Sequence, residues 1–359
     1  MALPVNSLRM LATRSSAVAA SNPVAPPAEP RLSWKEIIAP AEPFLAAVAE
    51  RMREQVHAFE PDIAAYAEYA LTGQGKQLRP ALVALSASAT GQPNDSHVMV
   101  AVIIEMVHLA TLVHDDVMDE ARIRRGRPTL AANWGSEISV LLGDCLFAHA
   151  LKLASGFPTT EVCRAVAAAT NTVCSGEILQ TQRRRNFELS RADYFKVLQM
   201  KTGELFALSC DLGAYVNGAG AGPRAALRQY GLAIGTAYQI YDDCLDVFGS
   251  EASTGKSLGT DLIKGKLTLP LLLALERAPA DERACLEAWV QEWKAEDFPK
   301  LLLALKACQA LEGSRDVVHQ YLDTARQNLG TLPPSAGRAG LEGLADYLAG
   351  QADALGTAS

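Results

Sequence analysis

Several features that would place this chain in other protein classes are missing from its sequence. Its 359 residues contain seven cysteines and no C-x-x-C pair, which argues against a disulfide framework or a zinc site. Scattered thiols of this kind favour a reducing compartment, so we expect a cytoplasmic protein. No run of 18 or more apolar residues occurs, and we predict no transmembrane helix. The net charge of −7 argues against nucleic acid as the main partner.

The first 31 residues differ in composition from the rest of the chain. They are rich in Ala, Ser and Pro, contain three arginines, and have no acidic residue before Glu29. We interpret residues 1–35 as a disordered or targeting segment, and an organellar transit peptide is the alternative to a disordered tail. No Pro-, Gly- or Ser-rich linker divides the chain after this segment, so residues 36–359 are predicted to form one domain.

Alternating strand patterns are almost absent, and helical periodicity dominates the sequence. Because 49% of the residues are hydrophobic, the chain can bury a large core. The predicted fold is therefore all-α, a single large bundle of long helices around a central cavity. The predicted helices cover roughly residues 40–58, 62–71, 78–90, 96–120, 136–154, 160–187, 191–217, 224–248, 267–277, 281–296 and 313–329.

Two copies of one carboxylate pattern, D-D-x-x-D, lie within these predicted helices. On a helix, positions four apart share a face, so the first and last aspartate of each copy project together. Three carboxylates within one turn repel one another unless a cation neutralises them. An all-oxygen ligand set favours Mg²⁺, which also takes ligands from water and substrate phosphates. The candidate metal ligands are Asp115, Asp116, Asp119, Asp242, Asp243 and Asp246.

The same helix faces carry further polar residues. His108 and Thr111 lie on the stripe of Asp115 at three-four spacing, and Gln239 lies on the stripe of the second motif. The alternative is that both motifs are solvated acidic surfaces, but the flanking stretches 111–114 and 238–241 are too apolar for exposed helix faces. A buried unpaired charge is costly, so these stripes must face a ligand, a metal or water.

Basic residues are grouped where a polyphosphate held between the two motifs would lie. Arg124 and Arg125 follow the first motif in a predicted loop, and arginine suits bidentate phosphate binding. Lys76 and Arg79, three apart at a predicted helix start, could hold one anion together with backbone N–H groups. Further lysines that interrupt a helix or stand in a glycine-rich stretch are Lys201, Lys256 and Lys266.

Taken in order along the chain, these elements resemble those of the trans-isoprenyl diphosphate synthases, the family that includes farnesyl and polyprenyl diphosphate synthases. The resemblance spans about residues 68–270. Two departures are visible: Gln74 replaces the first glycine of the usual pair, and Gln77 stands where many members carry arginine. The matching elements are Gly75-Lys76-x-x-Arg79-Pro80, His108, the motif at 115–119, Arg124-Arg125-Gly126-x-Pro128-Thr129, Lys201-Thr202-Gly203, Gln239-x-x-Asp242-Asp243-x-x-Asp246 and Gly255-Lys256.

The resemblance implies an isoprenoid-synthase fold, a homodimer, and elongation of an allylic diphosphate by isopentenyl diphosphate with Mg²⁺. It implies that the metal is held by Asp115, Asp119 and Asp242, with Asp116, Asp243 and Asp246 in support. It implies that the allylic diphosphate is bound by Arg124, Lys201, Lys256 and Lys266, and isopentenyl diphosphate by Lys76, Arg79, His108 and Arg125. The catalytic residues implied are Lys201, Thr202 and Gln239, the last two offering oxygen dipoles toward a carbocation.

Product length should depend on what lies beside the first motif. Ala110 and Thr111 stand about one turn before Asp115, where short-chain members of the family place bulky aromatic residues. Small residues there predict an open tunnel and a long all-trans product, such as octaprenyl or solanesyl diphosphate. A farnesyl or geranylgeranyl diphosphate synthase, a class I terpene cyclase and a non-catalytic synthase subunit are the alternatives. The aspartate-rich second motif speaks against a cyclase, and two intact motifs speak against a non-catalytic subunit.

Overall fold

The structure, a computed structural model, describes residues 33–72, 75–250 and 258–356. Within these ranges, the only strands are β1 (Ile123–Arg124) and β2 (Arg127–Pro128), which pair as a short antiparallel hairpin. The predicted all-α fold class is therefore confirmed. In chain order the helices are α1 Trp34–Ile38, α2 Glu42–Glu54, α3 Ala64–Leu71, α4 Leu78–Thr90, α5 Asp95–Met118, α6 Leu130–Trp134, α7 Ser136–Ser155, α8 Glu161–Gln182, α9 Arg191–Leu198, α10 Glu204–Tyr215, α11 Ala221–Phe248, α12 Thr260–Ile263, α13 Leu269–Arg277, α14 Ala280–Gln291, α15 Phe298–Ala307, α16 Ala310–Leu329 and α17 Ala336–Ala354.

Short turns of tighter or wider helix join some of these elements. The 3₁₀ turns are Ala39–Ala41, Gln55–Ala58, Pro61–Ile63 and Ala295–Asp297. A π-helical turn, Gln199–Gly203, joins α9 to α10 without a break in the chain direction. The sequence prediction treated residues 191–217 as one helix with an interruption near Lys201, and the π-turn is that interruption.

Helix α10 lies between the two halves of the hydrophobic interior. Leu205, Leu208 and Leu212 are buried in a cluster with α2, α5, α7 and α8. Phe206 and Cys210 are buried on the other side, in a cluster with α11, α13, α16 and α17. Because α10 packs against both α5 and α11, it holds the two helices that carry the aspartate motifs on either side of itself.

Helix α11 approaches α10 closely because of a glycine on α11. A Cβ atom at Gly235 would lie 2.9 Å from both the Cα atom of Gly203 and the Cβ atom of Phe206, closer than side chains pack. Glycine at this position therefore allows α11 to contact the start of α10. The contact brings the second motif toward the π-turn.

The predicted helix bounds differ from the structure in places. Helix α5 begins at Asp95, and its cap is Asn94, whose Oδ1 accepts the N–H of Ser96 at 3.0 Å. Helices α15 and α17 and the short helices α1, α6 and α12 were not predicted, and the predicted helix at 160–187 ends at Gln182. Of the predicted N-terminal segment, residues 1–32 lie outside the described residues, and Trp34 begins α1 with Ser33 as its cap.

Helices α5 and α7 are long and apolar enough to cross a membrane, judged by length and composition alone. In α5, 67% of the most apolar window is buried inside the protein, as expected of a core helix. In α7 the buried share is only 39%, so this helix keeps an apolar face exposed. The exposed side chains on that face include Val140 and Leu141. All seven cysteines are free thiols.

Candidate active site

The structure brings the two aspartate motifs together through consecutive residues of the π-turn. The Nζ atom of Lys201 lies 3.7 Å from Asp115 Oδ2 in the first motif. The hydroxyl of the next residue, Thr202, donates a hydrogen bond to Gln239 Oε1 at 2.8 Å. Gln239 Nε2 in turn donates to Asp243 Oδ1 of the second motif at 2.9 Å. Neighbouring Cα atoms are only about 3.8 Å apart, so the two motifs must face each other across the π-turn.

A second bridge joins the far ends of the motifs. Lys266 Nζ lies 3.8 Å from Asp119 Oδ2 and 3.6 Å from Asp261 Oδ1. The backbone N–H of Asp261 donates to Asp246 Oδ2 at 3.0 Å. Hydrogen bonds and ion pairs thus connect the two helices at both ends of their motifs, and the carboxylates line the space between the helices.

The six aspartates divide into two groups by exposure. Asp116, Asp243 and Asp246 are buried, at 5%, 5% and 8% of their accessible surface. The partly exposed aspartates are Asp115, Asp119 and Asp242. The exposed group is the set predicted to hold metal, and the buried group is the set predicted to support it.

Cationic side chains surround the first motif. Arg124 Nε donates to Asp116 Oδ1 at 2.7 Å. Lys264 Nζ lies 2.8 Å from Asp119 Oδ2. Burial alone would raise the pKa of Asp119, but Lys266, Lys264 and Lys201 together outweigh burial and lower it. Burial is the main reason that the pKa of Asp116 is raised, and Arg124 offsets this only in part.

Neutral donors hold the buried residues of the second motif. Asp243 accepts hydrogen bonds from the Tyr194 hydroxyl at 2.6 Å and from Gln239. Burial, helped by the charge of Asp261, raises the pKa of Asp243 to about 8 despite these bonds. Asp246 accepts the N–H groups of Thr260 and Asp261 and so caps α12. Burial, and then Asp261, also raise the pKa of Asp246.

The π-turn aims Lys201 toward the first motif with help from α8. Its Nζ atom donates to Glu177 Oε2 at 2.8 Å and to Gln180 Oε1 at 3.2 Å. Burial lowers the pKa of Lys201, but Asp115 and Glu177 together outweigh burial and the net pKa is raised. Lys201 is therefore a charged ammonium. The wider ring of a π-turn is a common feature of functional sites because it redirects side chains out of the helical register.

The residues predicted to bind isopentenyl diphosphate are gathered beside the α5 stripe. A Cβ atom at Gly75 would lie 2.4 Å from Arg125 Nη1, so glycine lets the guanidinium pack on the backbone next to Lys76. The Arg79 guanidinium lies 5.1 Å from the centre of the Phe206 ring. His108 keeps some accessible surface, yet burial lowers its pKa well below the usual value, with Arg79 and Arg125 contributing. The imidazole is therefore neutral among arginines.

Backbone strain is concentrated in the loops that carry basic residues. Four of the five described non-glycine residues with positive φ are Gln77, Glu120, Arg125 and Arg185, with values between 48° and 55°; the fifth, Gln309, precedes α16. Each such residue costs on the order of 1 kcal/mol relative to ordinary backbone. Strain of this kind persists where surrounding contacts fix it, and functional sites are common locations. The departure noted at Gln77 thus lies at a strained residue that starts α4.

The two residues predicted to set product length differ in position. Ala110 is fully buried in the apolar cluster beside α7. Thr111 is partly exposed, and its hydroxyl donates to the His108 carbonyl at 2.7 Å. The partly exposed stripe of α5 consists of Glu105, His108, Thr111, Leu112, Asp115 and Asp119. Thr111 therefore shares the face of the motif, whereas Ala110 lies behind it.

The donor set fits a hard divalent cation that also binds substrate oxygens. Among the described residues, no three His, Cys, Asp or Glu side chains converge into a metal site of protein ligands alone. Mg²⁺ is usually held by one or two carboxylates together with water and phosphates, so it does not need such a cluster. Burial and negative neighbours raise the pKa of Asp243, and a cation nearby would relieve that cost. Asp115, Asp119 and Asp242 are the residues that would hold it.

Several residues of the site were not predicted from the sequence. Glu177 and Gln180 contact Lys201, Tyr194 contacts Asp243, and Arg184 and Lys264 contact Asp119. None of them belongs to a motif with its own spacing signal. The arginine run 183–185 was the one visible hint in the sequence. Lys256 lies outside the described residues, so its predicted role stays a prediction.

Comparison with known proteins identifies the family to which the chain belongs. The family model described as polyprenyl synthetase matches residues 60–305. The chain belongs to the polyprenyl synthetase family. The resemblance inferred from the motifs is confirmed, and the match extends beyond residue 270, where the sequence motifs ended.

Individual members of the polyprenyl synthetase family match nearly the whole chain. Heptaprenyl diphosphate synthase component 2 of Bacillus subtilis is 35% identical over 302 residues, which cover 84% of this chain and 86% of that protein. Octaprenyl diphosphate synthase of Escherichia coli is 32% identical over 310 residues, covering 86% and 96%. A Caulobacter crescentus polyprenyl synthase, crystallised with calcium and isoprenyl diphosphate, superposes with a TM-score of 0.84 at 34% identity, covering 90% of this chain and 99% of that one.

Proposed function

We propose that this chain is a long-chain all-trans polyprenyl diphosphate synthase, a prenyltransferase that adds isopentenyl diphosphate units to an allylic diphosphate. The observation that carries the proposal is the division of the six aspartates. Asp115, Asp119 and Asp242 stay accessible between facing helices, while their three neighbours are buried and hydrogen-bonded. Related heptaprenyl and octaprenyl synthases support the long product.

The reaction requires that pyrophosphate leave the allylic substrate. The C–O bond at C1 breaks, the isopentenyl double bond forms a new C–C bond to C1, and a proton leaves the isopentenyl unit for the released pyrophosphate. Bound at Asp115, Asp119 and Asp242, Mg²⁺ would neutralise the departing oxygens. Calcium in the Caulobacter relative supports a divalent cation here. Arg124, Lys201 and Lys266 supply further positive charge, and Lys256 is proposed with them.

The allylic carbocation needs stabilisation and protection from water. Gln239 donates its amide hydrogen to Asp243, which fixes the amide so that Oε1 points toward Thr202. The two side-chain oxygens therefore present an oriented pair of dipoles beside Lys201. Such preorganised dipoles stabilise developing positive charge at little reorganisation cost. The apolar walls from α5 and α10 exclude water that would otherwise quench the cation.

The isopentenyl diphosphate would bind at the arginine cluster. Arg79 and Arg125 offer the planar donors that suit a phosphate. Neutral His108 can donate one further hydrogen bond without adding repulsion between cations. Lys76 is exposed at the edge of this cluster, where it can reach an entering diphosphate. The cluster lies beside the α5 stripe next to the first motif, so the two substrates would bind side by side.

The test is to incubate the purified protein with Mg²⁺, isopentenyl diphosphate and farnesyl diphosphate, and to measure product masses after removing the phosphates. We expect a ladder that ends at a long polyprenol. A farnesyl or geranylgeranyl product would keep the chemistry and reject the long chain. No elongation with any allylic primer would reject the synthase proposal.

We also propose that two copies of the chain associate through α7 and α8. Leu141 on α7 and Ile178 on α8 are exposed at 55% and 59%, and the two helices pack against each other. Two exposed apolar side chains on neighbouring helices are candidates for an interaction surface. The family resemblance favours a second copy as the partner. The Bacillus relative is named as one component of a synthase, so a different subunit is the competing occupant.

Light scattering on the purified protein tests this association. We expect a dimer in the wild type and a monomer after Leu141→Glu or Ile178→Glu. Leu303→Glu is a matched control because Leu303 is equally exposed, at 59%, on α15. A monomeric wild type, or a dimer that withstands both changes, would reject the α7–α8 surface.

A further inference from the structure

Three cations converge on Asp119 at the end of the first motif. Lys264 Nζ lies 2.8 Å from Asp119 Oδ2, and Lys266 Nζ lies 3.8 Å from the same atom. Arg184 Nη2 lies 3.5 Å from Asp119 Oδ1. Of the three, only Lys266 was a candidate ligand from the sequence. Arg184 comes from the turn after α8, and Lys264 follows α12.

The charges of this group do not balance. Arg184, Lys264 and Lys266 carry three positive charges, and the acidic groups that they contact are Asp119 and Asp261. Arg184 Nε is also buried without a hydrogen-bond partner in the described part of the chain. An unsatisfied buried donor is costly, and more so when it belongs to a charged group. Within ion-pair distance, this group therefore has more cations than carboxylates, and one of its donors is unpaired.

The backbone holds these cations in one unit. The N–H of Arg185 donates to the Gly265 carbonyl at 2.8 Å, and the Arg185 side chain packs on Gly265. The arginine turn and the lysine loop are thus joined between Lys264 and Lys266. Asp246 of the second motif anchors the same loop, since it accepts the N–H groups of Thr260 and Asp261. The cations are therefore fixed relative to both motifs.

We infer that Arg184 and Lys264 are additional ligands of the allylic diphosphate and of the pyrophosphate that it releases. The inference rests on the proposed function. A divalent cation at Asp119 would compete with Arg184, Lys264 and Lys266 for the one carboxylate. The displaced cations would then face the space between the motifs, and an anion with several oxygens fits them better than one carboxylate. Arginine and lysine donors are suited to phosphate oxygens.

A purely structural role would predict different behaviour. If Arg184 and Lys264 only neutralise Asp119, their loss should lower thermal stability and leave pyrophosphate binding intact. If they bind the diphosphate, pyrophosphate affinity and the KM for the allylic substrate should change together. The KM for isopentenyl diphosphate should not change, because that substrate is assigned to the cluster around Arg79 and Arg125. Binding of pyrophosphate separates the two roles without reference to turnover.

The experiment is calorimetric titration of the full-length protein with inorganic pyrophosphate in the presence of Mg²⁺. Arg184→Gln and Lys264→Gln remove charge at similar side-chain length, and Arg184→Lys retains the charge. Controls are Arg53→Gln and Lys196→Gln, which remove exposed cations on α2 and α9. We expect each neutral variant to lose about tenfold in pyrophosphate affinity, equivalent to about 1.4 kcal/mol. Arg184→Lys keeps the charge but loses the planar donors, so its pyrophosphate affinity should fall between those of the wild type and Arg184→Gln.

The outcomes separate this inference from the proposed function. If the wild type elongates its substrate and both neutral variants bind pyrophosphate as the controls do, the inference is wrong and the proposed function stands. If the wild type neither elongates its substrate nor binds pyrophosphate with Mg²⁺, the proposed function is wrong, and the inference that rests on it is wrong as well. An equal rise in both KM values would also overturn the inference, because the effect would not be specific to the allylic side.

Discussion

The two aspartate motifs share one pattern, yet different chemical groups hold their carboxylates. In the first motif, Arg124 pairs with Asp116, and Lys264 pairs with Asp119. In the second, Asp243 is held by a tyrosine and an amide, and Asp246 by a threonine and backbone N–H groups. The pKa of Asp119 is lowered, whereas that of Asp243 is raised to about 8. Positive side chains keep Asp119 ionised and offset the burial of Asp116 only in part, whereas Asp243 needs an added cation to be ionised near neutral pH.

The accessible aspartates of both motifs should be the most sensitive positions. Asp115→Asn and Asp242→Asn each remove one charge from the residues proposed to hold Mg²⁺. Loss of one such electrostatic contact typically lowers kcat by about 10²- to 10³-fold. Steady-state elongation assays measure the change. Asp95→Asn is the matched control because Asp95 is on α5 with its side chain 91% exposed. A fully active Asp115→Asn variant would remove the metal assignment.

The buried aspartates Asp116 and Asp243 test whether the two motifs depend differently on a bound cation. Asp116→Asn leaves Arg124 without its charged partner, so we expect the Mg²⁺ concentration for half-maximal activity to rise by about 10- to 100-fold. Asp243→Asn should raise this Mg²⁺ concentration less, because Asp243 is readily protonated before a cation binds. Tyr194 and Gln239, its two neutral partners, can still hydrogen-bond to an asparagine amide. Magnesium titrations of activity at fixed substrate measure both. A larger effect at Asp243 than at Asp116 would contradict the distinction between the motifs.

Product length tests how far the accessible face of α5 continues beyond the motif. Thr111→Tyr places an aromatic ring on the partly exposed stripe and should shorten the product. Ala110→Tyr should also shorten it if the tunnel wall includes Ala110, but Ala110 is fully buried. Overpacking a core position costs about 1–3 kcal/mol, so this variant should also unfold at lower temperature. Mass analysis of the dephosphorylated products measures the product length of each variant.

Leu303→Tyr on the exposed surface of α15 is the control for the added ring. An unchanged product length in both Thr111→Tyr and Ala110→Tyr would show that product length is not set on this part of α5.

The sequence predicted the helices and the faces that carry the motifs because both depend on local spacing. The stripe from His108 to Asp119 is partly exposed between buried neighbours, as three-four spacing indicated. The all-α fold followed from the same periodicity. The helices α15 and α17 were missed although both have local start signals, since Pro299 lies in the first turn of α15 and the Ser335 side chain caps α17.

Residues that meet across the fold could not be predicted in the same way. Glu177 and Lys201 are 24 positions apart, and Tyr194 and Asp243 are 49 apart. Spacing identifies the face on which a residue lies, but it does not identify which helices meet. Arg184 was passed over for that reason, although it stands in a run of three arginines.

A pH dependence of stability also distinguishes the second motif from the first. In the metal-free protein the pKa of Asp243 is about 8, against an ordinary value of 3.8 for the unfolded chain. Between these values the folded protein holds a proton that the unfolded chain has released. The free energy of unfolding attributable to Asp243 should therefore fall as pH rises through this window, and level off above about pH 8. Asp243→Asn removes the titrating group and retains the size of the side chain.

Chemical unfolding of the wild type and Asp243→Asn at several pH values, without divalent metal, measures the difference between them. We expect the wild type to lose stability relative to the variant from about pH 5 to about pH 8. Added Mg²⁺ should flatten this dependence, because a cation favours the ionised carboxylate and so displaces the proton. Parallel curves for the two proteins would mean that Asp243 is ionised without a cation. The two motifs would then be alike in charge, and the hydrogen bonds from Tyr194 and Gln239 would be sufficient to keep Asp243 ionised.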